Sequence, residues 1–361
     1  MSTPEAALRH DLPAVDGDYM LEQTAALCRI PSPTGFTRAA LDHVAGELAA
    51  LGLETRRTRK GALIAQLPGG DSALGGRTLS AHVDTLGAMV RDITKGGKLK
   101  LTRIGGYDWS TIEGEYCLVH AHGQEPISGT VMTNKASGHV HGSELVDLKR
   151  DEFTLEVRLD APVTSDDEVR ALGIEVGDFV SLDPRTTVLP NGYIKSRHLD
   201  DKACVAILLG VAKAVTEGTL ALAAPSYLYI SNFEEVGHGS SAGLPEGTAD
   251  LIAVDMAAVG EGQTSDEQAV TICVKDASGP YDYDLSRLLI DVARANELDY
   301  RVDTYRYYAS DVSQALRAGW DVRGGLVGPG VDASHSFERM HQDSLVETAR
   351  LLLAYLLTPE A

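Results

Sequence analysis

Four short polar stretches, each following or flanking a short apolar run, constrain this 361-residue chain more than anything else in it. They are Ala81-His82-Val83-Asp84, His198-Leu199-Asp200-Asp201, Glu234-Glu235 with Asp255, and the segment around His335. Residues this far apart in sequence meet where the strands of an α/β sheet end together, and ligands collect beyond the carboxyl ends of such strands. His82, Glu234, Glu235 and Asp255 all follow predicted strands at that end. Asp200 precedes a predicted helix, whose N-terminal partial charge favours an anion. Two His, two Asp and one Glu suit a pair of divalent cations, and one further Glu is left as a base. That set points to metal-assisted hydrolysis.

The surrounding periodicity supports an α/β frame. Tyr19–Ile30 reads as a helix stopped by Pro31 and Pro33, and Thr37–Leu51 as a second, with Leu41, Val44, Leu48 and Leu51 at helical spacing and Gly52 as the stop. Strands are expected at Leu53–Thr58, Ala62–Leu67 and Arg77–Ala81, the last delivering His82. From about Val90 to Asn191 turns come often and runs are short, with Phe153–Leu159 alternating and Asp178–Leu182 reading as another strand. This predicts a β-rich domain, 90–191, inserted into an α/β domain formed by 1–89 and 192–361. The helix–strand pattern then resumes: helix Lys202–Val215, strands Ser226–Ser231 and Leu251–Val254, and helices Asp284–Ala295, Asp311–Ala318 and Ser344–Leu357.

Bulk properties narrow the partners. Acidic residues outnumber basic ones 52 to 32, and no Lys/Arg cluster stands out, which argues against nucleic acid. The longest apolar run, Ala203–Ala212, is about half the ~20 residues of a membrane span. Met1–Gly17 is polar and acidic, without the pattern of a signal peptide. A soluble, cytoplasmic protein is expected. Cys28, Cys117, Cys204 and Cys273 are far apart and form no CxxC, so buried reduced thiols are expected.

Within the stretches, His82 and Asp84 are two apart on an extended segment and point to one side. Asp84 is therefore expected to accept the ring N–H of His82 and fix its tautomer. Glu234 and Glu235 are neighbours whose side chains diverge, so one can bind metal while the other holds a proton. Asp201 reads as a first-turn helix acid. A carboxylate after the apolar Ile252-Ala253-Val254 needs a partner to offset desolvation, which fits Asp255. His120-Ala-His122 and His139-Val-His141 are candidate strand chelates, or else exposed strand histidines or residues at a subunit contact.

In order along nearly the whole chain, Ile30-Pro-Ser-Pro-Thr-Gly35, Ala81-His-Val-Asp-Thr-Leu-Gly87, Leu199-Asp-Asp-Lys202, Glu234-Glu-Val-Gly237, Val254-Asp255 and Ser334-His-Ser336 resemble the motifs of the dinuclear metallo-aminopeptidases of the glutamyl and tetrahedral type. Thr85 stands where that family usually has Glu, Asp201 where Asn is common and Lys202 where Arg is common. The resemblance implies a three-layer, mixed-sheet α/β core with an inserted, barrel-like β domain. It implies two divalent ions, zinc fitting best with cobalt or manganese also compatible. His82 and Asp255 would hold one ion, Glu235 and His335 the other, with Asp200 bridging. Glu234 would be the general base and Asp84 would orient His82. It also implies a homo-oligomer built from dimers, up to a dodecamer.

Segments Arg306–Asp311 and Gly330–Arg339 resemble a bacterial subgroup associated with the osmolyte N-acetylglutaminylglutamine amide. Candidate substrate contacts are Arg306, Arg339 and Arg197 toward a carboxylate or carbonyl, Asp311 toward an amine, and His198 at the entrance. The expected substrate is a short peptide opened from its N-terminus. The alternative is deacylation of a blocked dipeptide. A glycoside hydrolase would use paired carboxylates but leaves His82 and His335 unexplained, and a non-catalytic binder leaves Glu234 without a role.

Overall fold

The computed structural model describes residues 8–70 and 75–359. The part of the Met1–Gly17 reading that concerns 1–7 lies outside them.

A mixed sheet runs through the core. Its central strands Ser226–Ser231, Gly76–His82, Thr248–Val254 and Arg323–Asp332 are mutually parallel, in that spatial order. Antiparallel strands flank them: Leu63–Gln66 and Thr55–Arg57 on one side, Val270–Asp276 and Glu338–His341 on the other. All seven residues of Gly76–His82 are buried, as expected of a parallel strand covered on both faces.

Helices Gly17–Arg29, Arg38–Ala50, Leu199–Gly218, Tyr283–Ala295 and Gln342–Leu357 bury their apolar sides on one face of this sheet. The Asp16 carboxylate caps the first of them by accepting from Tyr19 N, and Gly52, at φ 78°, ends the second. Leu199–Gly218 is buried nearly all round and lies centrally, so close to Gly17–Arg29 that a Cβ at Gly210 would sit 2.5 Å from the Met20 sulfur. Helix Asp311–Arg317 packs Val312 and Ala315 on the opposite face, beside Tyr229, Leu251 and Leu326. The result is the expected three-layer α/β core.

The β-rich insertion is a closed barrel of Gly87–Ile93, Leu99–Ile104, Leu155–Leu159, Ile127–Thr133, Tyr116–His120 and Phe179–Leu182. It has its own core, including Val90, Leu101, Val119, Val131, Val157 and Val180. The barrel thus opens at Gly87 rather than Val90 and closes at Leu182. Thr187–Val188 and Tyr193–Ser196 pair instead with Glu338–His341 of the large sheet. Frequent turns continue across that junction, so texture alone does not mark it.

Other boundaries differ for local reasons. The strand expected from Phe153 starts at Leu155, because Asp151 Oδ1 accepts Phe153 N and Thr154 N in a turn that leaves Phe153 exposed. His120 ends a strand, but His122 lies in the following turn. His139 and His141 sit on the single helical turn Gly138–His141. Neither pair has the strand geometry of a chelate. The four cysteines are buried and free. Among the described residues no helix is long and apolar enough to cross a membrane.

Candidate functional site

The parallel strands bring the polar stretches together. Ser231 is in register with His82, and Asp255 N bonds to Val327 O, so the loops after three adjacent strands share one edge. Strand Arg323–Asp332 then leads into a loop where Ala333 and His335 adopt positive φ. The Asp200–Asp201 peptide is cis, and both residues have non-helical dihedrals ahead of the regular helix.

Asp200 lies at the centre. Its Oδ1 is 3.2 Å from His82 Nε2 and its Oδ2 is 3.3 Å from His335 Nε2. Glu235 Oε2 is 3.5 Å from His335 Nε2, and Glu234 Oε2 is 3.8 Å from His82 Nε2. Two groups offer ligand atoms within 4.8 Å of one another: His82, Asp201 and Asp255, and Asp200, Glu235 and His335. Asp201 was expected to be a helix-start acid. It is fully buried, with Oδ2 accepting His82 N at 3.0 Å and Oδ1 without a partner.

The charges are crowded. Burial raises Glu234 well above the carboxylate range, His82 opposes this, and Asp255, Asp311 and Glu235 add to the rise. Burial pushes Glu235 up to about 8 and Asp255 up to about 7, with Asp200 adding to both. Burial opposes the charge on His82, yet Asp200, Asp84, Asp201 and Glu234 outweigh it and hold the imidazole well above its usual value. Burial likewise opposes His335, which Asp200 and Glu235 lift to about 11. Burial opposes ionisation of Asp200, but His335 and His82 hold it below the usual range.

Two buried carboxylates fix the backbone of this cluster. Asp84 accepts Glu234 N at 3.2 Å, Glu235 N at 3.3 Å and the Thr34 hydroxyl at 2.7 Å. The His82 ring N–H goes to the main-chain oxygen of Asp84 at 3.0 Å, with the carboxylate 3.6 Å away. Asp84 therefore fixes the His82 tautomer through its carbonyl, while its side chain holds the Glu234-Glu235 loop. Glu338, which sequence reasoning missed, accepts Asp200 N and His335 N, both at 3.1 Å. Burial and the charge of Asp200 push it up to about 8. Alternation along its strand turns Glu338 inward and Arg339 outward. The Ile30–Gly35 motif supports the same loop: Ser32 Oγ donates to Val83 O, and the buried Lys202 ammonium donates to Ile30 O.

A cavity of about 410 Å³ opens over the cluster. Asp200, Glu234, Glu235, Asp255 and His335 form one wall, and Gly106 of the barrel accepts the His335 Nδ1 proton at 2.5 Å. Met256, Tyr307, Tyr308, Ala309 and Gln314, also missed, form another wall. None of the expected substrate contacts lines this cavity. Arg339 pairs with both oxygens of Glu267 at 2.7 and 2.8 Å. Arg197 is buried on Ser336 O and Thr111 O. Arg306 is exposed over the Tyr307 ring. Asp311 is buried, with Oδ2 on Ser80 Oγ at 2.5 Å and Oδ1 on Ser240 N at 2.9 Å. His198 is buried away from the cavity lining, and burial with Lys202 and Arg197 nearby pushes its imidazole well below its usual value. Protein partners hold Arg339, Arg197 and Asp311, and spacing along the chain cannot reveal such partners.

The family described as M42 glutamyl aminopeptidase matches residues 61–351. A Bacillus subtilis (strain 168) protein named "Putative aminopeptidase YhfE" is 45% identical over 339 residues, covering 94% of this chain and 97% of that protein. Among solved structures, the TET aminopeptidase of the marine sediment archaeon Thaumarchaeota archaeon SCGC AB-539-E09 has a TM-score of 0.85 at 16% identity, over 94% of this chain and 96% of its own. The Pyrococcus horikoshii TET1 peptidase, described as assembling into a tetrahedron or a large octahedral shell, has a TM-score of 0.83 at 21% identity, over 94% of this chain and 99% of its own.

Proposed function

This chain belongs to the M42 glutamyl aminopeptidase family, a metal-dependent family of peptide-bond hydrolases, and on that premise we propose that it removes N-terminal residues from short peptides at a dinuclear metal site. The observation that carries this reading is the pair of imidazoles facing the two oxygens of one carboxylate, Asp200.

The residues fit two cations. His82 Nε2 and Glu235 Oε1 are buried without a hydrogen-bond partner of acceptable geometry, although carboxylates crowd them. Four carboxylates line the cavity, and among the described residues no Lys or Arg lines it. Buried charges this close need compensation. His82 and Asp255 would hold one ion and Glu235 and His335 the other, with Asp200 shared. Asp200 suits the shared position better than Asp201, because Asp201 already accepts His82 N. The nitrogen and oxygen donors suit zinc, with cobalt or manganese compatible. When bound, the ions would polarise the scissile carbonyl and acidify a water at the site.

Glu234 faces the cavity beside His82, where its carboxylate can take a proton from the attacking water and return it to the leaving amine. Asp84 holds the peptide of that base and of Glu235 in place, so the two carboxylates keep separate jobs. The likeness to the TET peptidases supports assembly of this chain into a homo-oligomer. Exposed Tyr116 and Leu118 on the barrel offer apolar surface for a contact.

The test is release of p-nitroaniline from aminoacyl p-nitroanilides by protein loaded with zinc, cobalt or manganese, with N-acetylated counterparts in parallel. Turnover of free-amine substrates, lost in Glu234→Gln at unchanged metal content, is expected. Release of acetate from the acetylated series, with no p-nitroaniline from the free-amine series, would establish a deacylase instead.

A further inference from the structure

Gln314 is an uncharged side chain of the cavity wall whose hydrogen-bonding capacity is unspent. It is 7% exposed, and its amide has no hydrogen-bond partner among the described residues. Its backbone is fully engaged within its helix: N–H to Ser310 O, and C=O to Ala318 N. The side-chain nitrogen lies beside Gly237, where a Cβ would be 3.8 Å from it, so the amide stands next to the loop that carries Glu234 and Glu235. An amide with two donors and an acceptor left open in the cavity wall is a ready partner for a polar group that enters the cavity.

The wall around Gln314 is uncharged. Tyr308 is fixed, its hydroxyl donating to Met256 O at 2.9 Å and its ring 5.1 Å from that of Tyr305. Ala309 leaves space, and Tyr307, 93% exposed, forms an aromatic rim. The nearby cations are committed elsewhere. The Lys60 ammonium donates to His238 O, Gly239 O and Ser241 Oγ, and Arg306 stacks on the outside of Tyr307.

We infer that Gln314 is a specificity-determining residue, and that with Met256, Tyr307 and Tyr308 it receives the side chain of the substrate's N-terminal residue and selects an uncharged amide side chain. This rests on the aminopeptidase reading above. A primary amide can donate to and accept from the Gln314 amide at once, so glutaminyl and asparaginyl residues satisfy both of its ends. A methionyl or leucyl side chain of similar size leaves the amide bare. A glutamyl side chain brings a negative charge into a cavity with no Lys or Arg in its wall.

Two readouts on metal-loaded protein test this. The first is kcat/KM for glutaminyl, glutamyl, methionyl and lysyl p-nitroanilides. The second is calorimetric binding of the free amino acids glutamine, glutamate and methionine. Wild type is expected to favour glutaminyl over methionyl and glutamyl by on the order of 10-fold or more, since a site built to hydrogen-bond rejects analogues that leave it unpaired. Gln314→Met should bring the glutaminyl-to-methionyl ratio to about one. Gln314→Glu should shift preference toward the lysyl substrate, which guards against a Met variant that folds poorly. Turnover with ratios unmoved in both variants overturns the inference and leaves the aminopeptidase reading standing. Absence of turnover, with glutamine still binding more tightly than methionine and Gln314→Met erasing the difference, overturns that reading and upholds the pocket. Absence of both overturns both.

Discussion

Removing the Glu338 carboxylate tests whether the centre is held by its backbone as well as by its ligands. The group is 2% exposed and accepts two main-chain N–H groups, those of Asp200 and His335, each at 3.1 Å. Glu338→Ala leaves both donors buried and unpaired, at about 1–3 kcal/mol each, or about 2–6 kcal/mol together. With an unfolding entropy of about 2.1 cal/mol/K per residue, this chain of 361 residues should lose roughly 3–8 °C in Tm. Glu338→Gln keeps one acceptor oxygen and should fall between Ala and wild type. Both substitutions free the peptides that carry Asp200 and His335. Metal affinity should therefore fall by about 10- to 100-fold, the usual effect of losing a group that orients a ligand. Differential scanning calorimetry of metal-free protein reads the first effect without contribution from bound ions, and calorimetric metal titration reads the second. A Glu338→Ala protein with wild-type Tm and wild-type metal affinity would refute the reasoning.

Three further outcomes are expected. Asp84→Asn replaces one acceptor with a donor facing the N–H groups of Glu234 and Glu235, and should lower kcat by about 10- to 100-fold with less effect on KM; steady-state kinetics decide, and an unchanged kcat counts against the loop-holding role. Gly328→Ala would place a Cβ 1.8 Å from Asp255 O, so chemical denaturation should show a loss of at least about 1–3 kcal/mol, or the variant should fail to fold. Burial pushes the thiols of Cys28 up to about 11 and of Cys117 and Cys273 up to about 12, and Cys204 well above its usual value. Ellman's reagent at pH 8 should therefore find almost no thiol in the native chain and four after denaturation; rapid native labelling would contradict the packing.

Where local pattern decides structure, the sequence was legible. Ser226–Ser231 is legible to the residue because a short apolar run between Pro225 and a polar loop leaves little choice, and the central helix declares itself by its apolar run. The cluster of His82, Asp200, Glu234, Glu235, Asp255 and His335 was legible because each follows a parallel strand or opens the loop or helix beside one. What stayed hidden depends on tertiary partners. The roles of Asp84 and Glu338 consist of main-chain N–H groups 138 and 150 residues away or on another turn, and main-chain donors carry no residue signal. Asp311 and Arg339 read as substrate contacts because a charged residue in a polar segment looks free until Ser80, Ser240 and Glu267 are seen to occupy it. Gln314 gives no signal because a lone Gln in a helix is ordinarily a solvated residue, and only the packing of its helix buries it.

Metal reconstitution addresses the central claim most directly. Chelator-stripped protein titrated with zinc should bind two ions per chain and gain aminoacyl p-nitroanilide turnover only as they bind, while Asp255→Ala and His335→Ala each lose one ion. Full turnover by the stripped protein, or two ions still bound in both variants, would contradict the account.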